Sequence, residues 1–166
     1  MNQKNQKKNK SKSRSSRKQN VFYGAGKTKK MYTNTSNSTS NENKSNIVKI
    51  FLEILNMVKL YHWRTHSYAQ HKATDDLYSK LNEHIDEFVE VLMGKTESRI
   101  KMVVNRIQLI DPNNIREFKD RIYEYRTFLI DLTTIFNDKK DSDLLSIRDE
   151  LLSDINQFLY LLTLSK

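Results

Sequence analysis

The chain has 166 residues, of which 37% are hydrophobic and 30% charged, and its formal net charge is +9. It contains three glycines, one proline and no cysteine, which excludes disulfides, iron–sulfur clusters and thiolate zinc sites. No apolar run is long enough to span a membrane. The length and these absences predict one folded domain in a reducing, cytoplasmic environment, without a membrane partner.

The positive charge is concentrated at the beginning of the chain. Residues 1–45 contain ten lysines and two arginines against one glutamate, a net charge of +11, whereas residues 46–166 carry a net charge of −2. The first segment is rich in Asn and Ser and has almost no aliphatic residues, so it cannot bury enough apolar surface to offset its ordering entropy. We therefore predict a disordered basic tail over residues 1–45 and a folded domain over residues 46–166.

A basic arm of this kind suits phosphate contacts that need no fixed geometry and no base sequence. DNA bound without sequence preference is the predicted partner, although a solubilising or targeting arm would have the same composition. The side chains predicted to contact phosphates are Lys4, Lys7, Lys8, Lys10, Lys12, Arg14, Arg17, Lys18, Lys27, Lys29 and Lys30.

Two helices are predicted in the first half of the folded part. The first begins after a cap at Ser45 or Asn46 and runs to about Trp63, with apolar residues at helical spacing. The second covers residues 71–90 without Gly or Pro. Its apolar stripe is formed by Leu77, Leu81, Ile85, Phe88 and Leu92.

The second half continues the helical pattern. A shorter helix is predicted between Gly94 and Pro112, lying across the connection to the third long helix. A third long helix follows Asn114, a candidate cap with Glu117 three residues later, and a fourth begins near Ser142. Apolar residues at 3-4 spacing favour packing at about 20°, so the predicted fold is an all-α four-helix bundle.

The second helix also carries a pattern typical of metal ligands. His71, Asp75, Asp86 and Glu90 fall within an arc of about 100° and form two i,i+4 pairs. Asp75 and Asp86 are separated by about 16 Å of helix, too far to share an ion. A second copy of the helix, packed antiparallel, would bring the two pairs together in a two-fold intersubunit site. A solvated helix face is the competing interpretation.

A His-Trp pair lies at His62 and Trp63, and it is followed by His71 with Asp75 four residues later and then by Asp86 and Glu90. This order of residues resembles the ferroxidase signature of the Dps proteins, which are mini-ferritins of starved cells. The similarity covers residues 46–166. It implies a ferritin-like bundle of the Dps type, with a short helix in the connection between the second and third long helices. It also implies that His62, His71 and Asp75 of one subunit bind iron together with Asp86 and Glu90 of its two-fold mate, beside Trp63.

The resemblance further implies a function. Fe2+ would be oxidised to Fe3+ by hydrogen peroxide or dioxygen and stored in a dodecameric shell, while the basic tail binds and protects DNA. No histidine follows His84, so the last two helices lack the Glu-x-x-His motif of a di-iron site inside one bundle. The intersubunit version of the site remains.

His62 and His71 are nine residues apart, closer than in the Dps family, and His66 is an alternative ligand. A rival hypothesis follows from this spacing: a DNA-packaging protein on a ferritin-like scaffold, with weak or lost iron oxidation. A third hypothesis is a plain helical bundle with a basic tail. The abundance of Lys, Asn and Ile suggests an AT-rich genome, such as that of a large DNA virus, in which case the predicted location is the virion or virus factory.

Overall fold

The computed structural model describes residues 40–103 and 106–164, which form four long helices. These are α1 (Asn41–Arg64), α2 (Tyr68–Lys95), α3 (Ile115–Asp131) and α4 (Ser142–Leu161), with a short 3-10 helix, Leu132–Thr134, after α3. The two described ranges contain no strand. The predicted all-α fold with four long helices is therefore confirmed. All of the tail residues predicted to bind DNA lie outside the described ranges, so that interpretation stays a prediction.

The start of α1 differs from the prediction. A cap at Ser45 or Asn46 was wrong, because the helix begins at Asn41 and the Ser40 hydroxyl accepts a hydrogen bond from the Asn43 amide. Ser45 is instead buried inside the first turns. The structured part therefore extends at least to Ser40, and the predicted boundary at residue 45 lies too late in the sequence.

The helix predicted between Gly94 and Pro112 was also wrong, because none of the described residues of this connection is helical. We call residues 96–103 and 106–114 the crossover. Its beginning is bonded to the first turns of α1, since the Asn41 side chain donates to the Lys101 carbonyl (2.8 Å) and accepts from the Lys101 amide (3.0 Å). Its end is bonded to the last residue of α1, where the Arg64 guanidinium meets the Asp111 carboxylate at 2.5 Å.

The length of α1 explains why the crossover cannot be one continuous helix. From Asn41 to Arg64 the helix rises about 34 Å, and roughly 25 Å remains even after allowing for the reach of the bonded side chains. The ten residue-to-residue steps from Lys101 to Asp111 would cover about 15 Å as a helix but about 33 Å when extended. A connection that was helical throughout would therefore be too short to reach both anchors.

The crossover decides the topology. The turn at residues 65–67 makes α1 and α2 antiparallel, and the crossover then returns the chain to the end of α1 that carries Arg64. Consequently α3 runs in the same direction as α2, and α4 runs antiparallel to it. α1 packs on α2, α2 on α4 and α4 on α3, and ring contacts of Tyr61 with Phe118 and of Phe51 with Phe128 close the bundle between α1 and α3.

Capping bonds fix the ends of α3. The predicted cap is confirmed, because Asn114 Oδ1 accepts from the Glu117 amide at 3.0 Å. The Glu117 carboxylate accepts from the backbone and the side chain of Asn113, which holds the pKa of Glu117 below its ordinary value. At the other end, the buried guanidinium of Arg148 on α4 donates to the Leu129 carbonyl, which also accepts from the Leu132 amide in the last turn of the helix.

The core lies between the four helices. The whole predicted stripe of α2 is buried, and Phe51 and Phe88 meet edge to face at its centre with ring centroids 5.3 Å apart. None of the helices in the described ranges has an apolar stretch of the length that crossing a membrane requires.

Candidate metal-binding site at the α1–α2 turn

The turn between α1 and α2 is held by a compact set of side-chain hydrogen bonds. Ser67 caps α2 by accepting from the Gln70 amide. The Gln70 side-chain oxygen accepts from both the Tyr61 hydroxyl (2.8 Å) and the Thr65 hydroxyl (2.9 Å). The Tyr61 ring stacks on Phe118 with centroids 4.1 Å apart, and burial raises the pKa of Tyr61. The last turn of α1 and the first turn of α2 therefore have a fixed relative position.

His62 and His71 face each other across this turn. Each Nδ1 lies 3.0 Å from the backbone carbonyl oxygen of the other histidine, and the rings stack with centroids 3.9 Å apart. His62 is buried and His71 is half-buried. The shorter spacing between these histidines is thus accommodated by a three-residue turn that pairs them directly.

The partners of the two rings fix where their protons lie. A carbonyl oxygen can only accept, so each Nδ1 must donate. Thr74 Oγ1, 3.4 Å from His62 Nδ1, donates its own proton to a backbone carbonyl and is an acceptor towards the ring. In the neutral rings both Nε2 atoms consequently carry the free lone pair. A histidine whose Nδ1–H is bonded to a backbone carbonyl is the usual arrangement for a metal ligand that binds through Nε2.

Asp75 is the third predicted ligand that this turn brings together with the histidines. Its Oδ1 lies 3.8 Å from His62 Nε2 and 4.0 Å from Lys59 Nζ, and its side chain is partly exposed. Lys59 also lies over the Tyr78 ring, 4.7 Å from the centroid. Both contacts of Asp75 are longer than hydrogen bonds, so the carboxylate is free to turn towards an ion, with the Lys59 ammonium as its alternative partner.

Asp86 and Glu90 are not part of this cluster. Both are exposed on α2, further along the helix, and neither makes a hydrogen bond or ion pair with another described residue. His66 and Trp63 are exposed at the turn. Within the described ranges no group of three or more His, Asp or Glu side chains is close enough to hold a metal ion. A single chain therefore has three of the five predicted ligands near the turn and the other two further along α2.

A second polar cluster, between α2 and α4, was not predicted. His84 Nδ1 lies 2.8 Å from Asp154 Oδ2, and Lys80 Nζ lies 3.5 Å from Asp154 Oδ1 and 2.6 Å from the Gln157 side chain. Asp154 is buried although it is acidic. The sequence contained a signal for this cluster, because Asp154 lies beside Leu151, Ile155 and Phe158 of the apolar stripe of α4. A carboxylate at a core position requires a cationic or hydrogen-bonding partner.

Comparison with known proteins gives one family. No curated protein and no solved structure matches the chain. One family model matches residues 62–162, a range that begins at the first of the paired histidines and extends through the last residue of the core. Since this match covers more than half of the sequence, the chain belongs to DUF5856, a family of unknown function.

Proposed function

We propose that the protein is a Dps-like ferroxidase that stores iron and binds DNA, and that its iron site is completed by a second copy of the chain. The observation that supports this most directly is the histidine pair. Both rings are held by their Nδ1 atoms and both leave Nε2 free, and His62 Nε2 lies 3.8 Å from the Asp75 carboxylate. Two imidazoles with carboxylates form a ligand set that suits Fe2+ and stabilises Fe3+.

The topology supports the ferritin-like part of the proposal. A four-helix bundle with one long crossover between its second and third helices has the connectivity of ferritin-like folds. The crossover here runs beside α1 from its first turn to its last residue. The described residues of the crossover contain no short helix, which is a difference from the Dps pattern.

The distribution of ligands supports a shared site. Asp86 and Glu90 are exposed and have no partner among the described residues, whereas His62, His71 and Asp75 meet at the turn. An antiparallel second copy of α2 would supply its Asp86 and Glu90 to this turn, with the partner's turn receiving the same residues in return. Iron is the substrate: hydrogen peroxide accepts two electrons, one from each of two Fe2+ ions, and takes up two protons to become two water molecules.

Iron oxidation in mixed assemblies tests this function. His71→Ala and Glu90→Ala should each lower the rate of peroxide-dependent Fe2+ oxidation about tenfold or more. Glu83→Ala, which removes another exposed carboxylate of α2, should leave the rate near that of the wild type.

Co-refolding the two inactive variants in equal amounts should restore activity. Half of the dimers would be mixed and each would contain one intact site, so roughly a quarter of the wild-type rate should return. Well-folded mixed assemblies without any recovery would show that the ligands are not shared between chains. A wild type that does not oxidise Fe2+ would favour the rival function, a DNA-packaging protein on the same scaffold.

A further inference from the structure

Lys44 is a buried cation that pairs with no side-chain carboxylate. Only 7% of this residue of the first turn of α1 is exposed, and it forms no ion pair with any described residue. Glu42 and Glu97, the acidic residues closest to it along α1 and the crossover, are both exposed. The residues outside the described ranges contain no Asp or Glu. Since a buried charge is costly unless it is paired, Lys44 indicates a place for an anion.

The hydrogen bonds around Lys44 leave two of its protons free. Its Nζ donates to the Ser98 hydroxyl at 3.1 Å. Ser98 in turn donates to Thr96 Oγ1 at 3.2 Å, and Thr96 donates to the Leu92 carbonyl at 2.7 Å, so the single proton of each hydroxyl is used. An ammonium has three N–H donors, and Ser98 takes one of them. The other two have no acceptor among the described residues.

The crossover supplies further donors close to the ammonium. Asn41 and Lys44 are three residues apart on one face of α1, and they bond to Lys101 and Ser98 respectively. The intervening residues 99–100 are therefore held across the first turn of the helix. Their amides have no acceptor among the described residues. Successive free amides beside a cation are donors of the kind that bind anions.

We propose that these groups, the Lys44 site, bind a phosphate ion. The positive end of the 24-residue helix α1 is directed to the same place, because helical side chains lean towards the N-terminus and the first amides have no partner within the helix. Arg99, which is exposed and forms no ion pair, adds a second cation. The oxygens of phosphate accept simultaneously from an ammonium, a guanidinium and backbone amides. A tetrahedral oxyanion therefore fits these donors better than a monatomic anion.

Phosphate binding by the full-length protein tests the proposal. Equilibrium dialysis with inorganic phosphate should show one saturable site per chain. Lys44→Met should raise the dissociation constant about tenfold or more, because the charge and both free N–H donors are lost. Lys49→Met is the matched control, since Lys49 lies on the same helix but is paired with Glu53 at 3.4 Å, and this variant should bind phosphate like the wild type. Equal affinity in Lys44→Met and the wild type would overturn the proposal, as would a wild type without saturable binding at millimolar phosphate.

Arg99→Gln tests the site without changing a buried residue. It removes an exposed guanidinium and should weaken phosphate binding about threefold, as expected for an exposed charge. An unaltered affinity in Arg99→Gln would overturn the proposed arrangement of donors even if Lys44→Met did not fold.

Thermal unfolding separates binding from a general effect of salt. An anion that binds only the folded protein raises the melting temperature, whereas chloride at the same ionic strength supplies only the screening. Phosphate also strengthens apolar burial in every protein, so the comparison between variants is decisive. The rise in phosphate should be larger in the wild type and in Lys49→Met than in Lys44→Met. An equal rise in all three proteins would overturn the site.

Two sources offer a phosphate group, the free ion and the backbone of DNA. With the free ion as the occupant, full-length Lys44→Met should retard DNA as the wild type does. Weaker retardation by Lys44→Met than by Lys49→Met would assign the site to DNA and overturn the binding of the free ion. Lys44 is eighteen residues from His62, about 27 Å along α1, so Fe2+ oxidation should be unchanged in Lys44→Met. Failure of this inference is thereby distinct from failure of the proposed function.

Discussion

At the scale of single residues, the Tyr125 hydroxyl is a buried polar group without a hydrogen-bond partner among the described residues. Tyr125 of α3 is buried against Ile50, Phe51 and Ile54, and its hydroxyl is the one buried side-chain polar atom of the described residues that makes no hydrogen bond. Burial raises the pKa of Tyr125 well above its ordinary value, and the Glu53 carboxylate adds to this effect. An unpaired hydroxyl in an apolar site costs about 1–3 kcal/mol of folding free energy.

Tyr125→Phe should therefore stabilise the protein. Removing the unpaired hydroxyl is expected to increase the free energy of unfolding by about 1 kcal/mol at neutral pH, measured by urea denaturation. Tyr61→Phe is the comparison, because the Tyr61 hydroxyl donates to Gln70 and its loss should lower the free energy of unfolding by about 1 kcal/mol. Destabilisation by both substitutions would mean that Tyr125 has a partner in solution.

The same substitution should alter the response to alkaline pH. The unfolded chain releases the Tyr125 proton near pH 10, whereas the folded protein retains it to higher pH. The raised pKa contributes stability below pH 10 that is lost as the pH increases above that value. The difference in unfolding free energy between Tyr125→Phe and the wild type should therefore widen between pH 9 and pH 10.5, while groups common to both proteins cancel.

At the scale of helices and connections, the sequence predicted most of the fold. Each of the four long helices has a stripe of apolar residues at 3-4 spacing, and these stripes are the residues that the core buries. The segment between Gly94 and Pro112 is less periodic than the four long helices, and the shorter helix predicted there is not found among its described residues. The extended conformation depends on the length of α1 and on anchors such as Arg64 and Asp111, which are 47 residues apart and which local propensity does not take into account.

The candidate site was predicted only in part, because spacing along the sequence identifies close neighbours but not residues that helix packing brings together. His62, His71 and Asp75 lie within about a dozen residues of each other around a short turn, so local spacing was enough to bring them together. His84 and Asp154 are 70 residues apart, and their contact depends on the packing of α2 against α4. Long-range pairs of this kind follow from the topology rather than from any local pattern.

The anchors of the crossover can be tested individually. Ser45 Oγ accepts from the Val103 amide at 2.9 Å, and Ser45 is almost fully buried. Ser45→Ala should speed hydrogen exchange of the Val103 amide by about tenfold, which corresponds to the loss of one hydrogen bond of about 1.4 kcal/mol. Ser79→Ala, at an exposed position of α2, should leave that amide unchanged. An unaltered rate in Ser45→Ala would show that other contacts hold the start of the crossover.

For the whole molecule, charge separates the chain into two parts. With Ser40 as the cap of α1, the tail comprises residues 1–39, which contain nine lysines and two arginines without an acidic residue, a net charge of +11. The remaining residues carry a net charge of −2, and the outer face of α2 is rich in carboxylates such as Asp76, Glu83 and Glu87. Attraction to DNA is therefore expected from the tail and not from the bundle.

Deletion of residues 1–39 should abolish DNA retardation in gels while leaving the sedimenting mass and the rate of Fe2+ oxidation unchanged. Stopping the deletion before Ser40 preserves the hydrogen bond that caps α1. In the full-length protein each phosphate contact contributes about 0.9 to the slope of log affinity against log salt, so six contacts per tail would weaken binding more than a thousandfold between 50 and 200 mM salt. Several tails on one assembly would add avidity without base preference, because lysine contacts to phosphates carry no sequence information.

A full-length variant with all eleven basic tail residues changed to Gln is the matched control, because it keeps the length of the tail and removes only its charge. It should fail to retard DNA to the same degree as the deletion. Retardation by the deleted protein at moderate salt would assign the DNA surface to the bundle, where the exposed cations Arg106 and Arg116 would be the next positions to substitute. Retardation by the Gln variant alone would instead mean that the tail binds through its other side chains, since counterion release would then have been removed without effect.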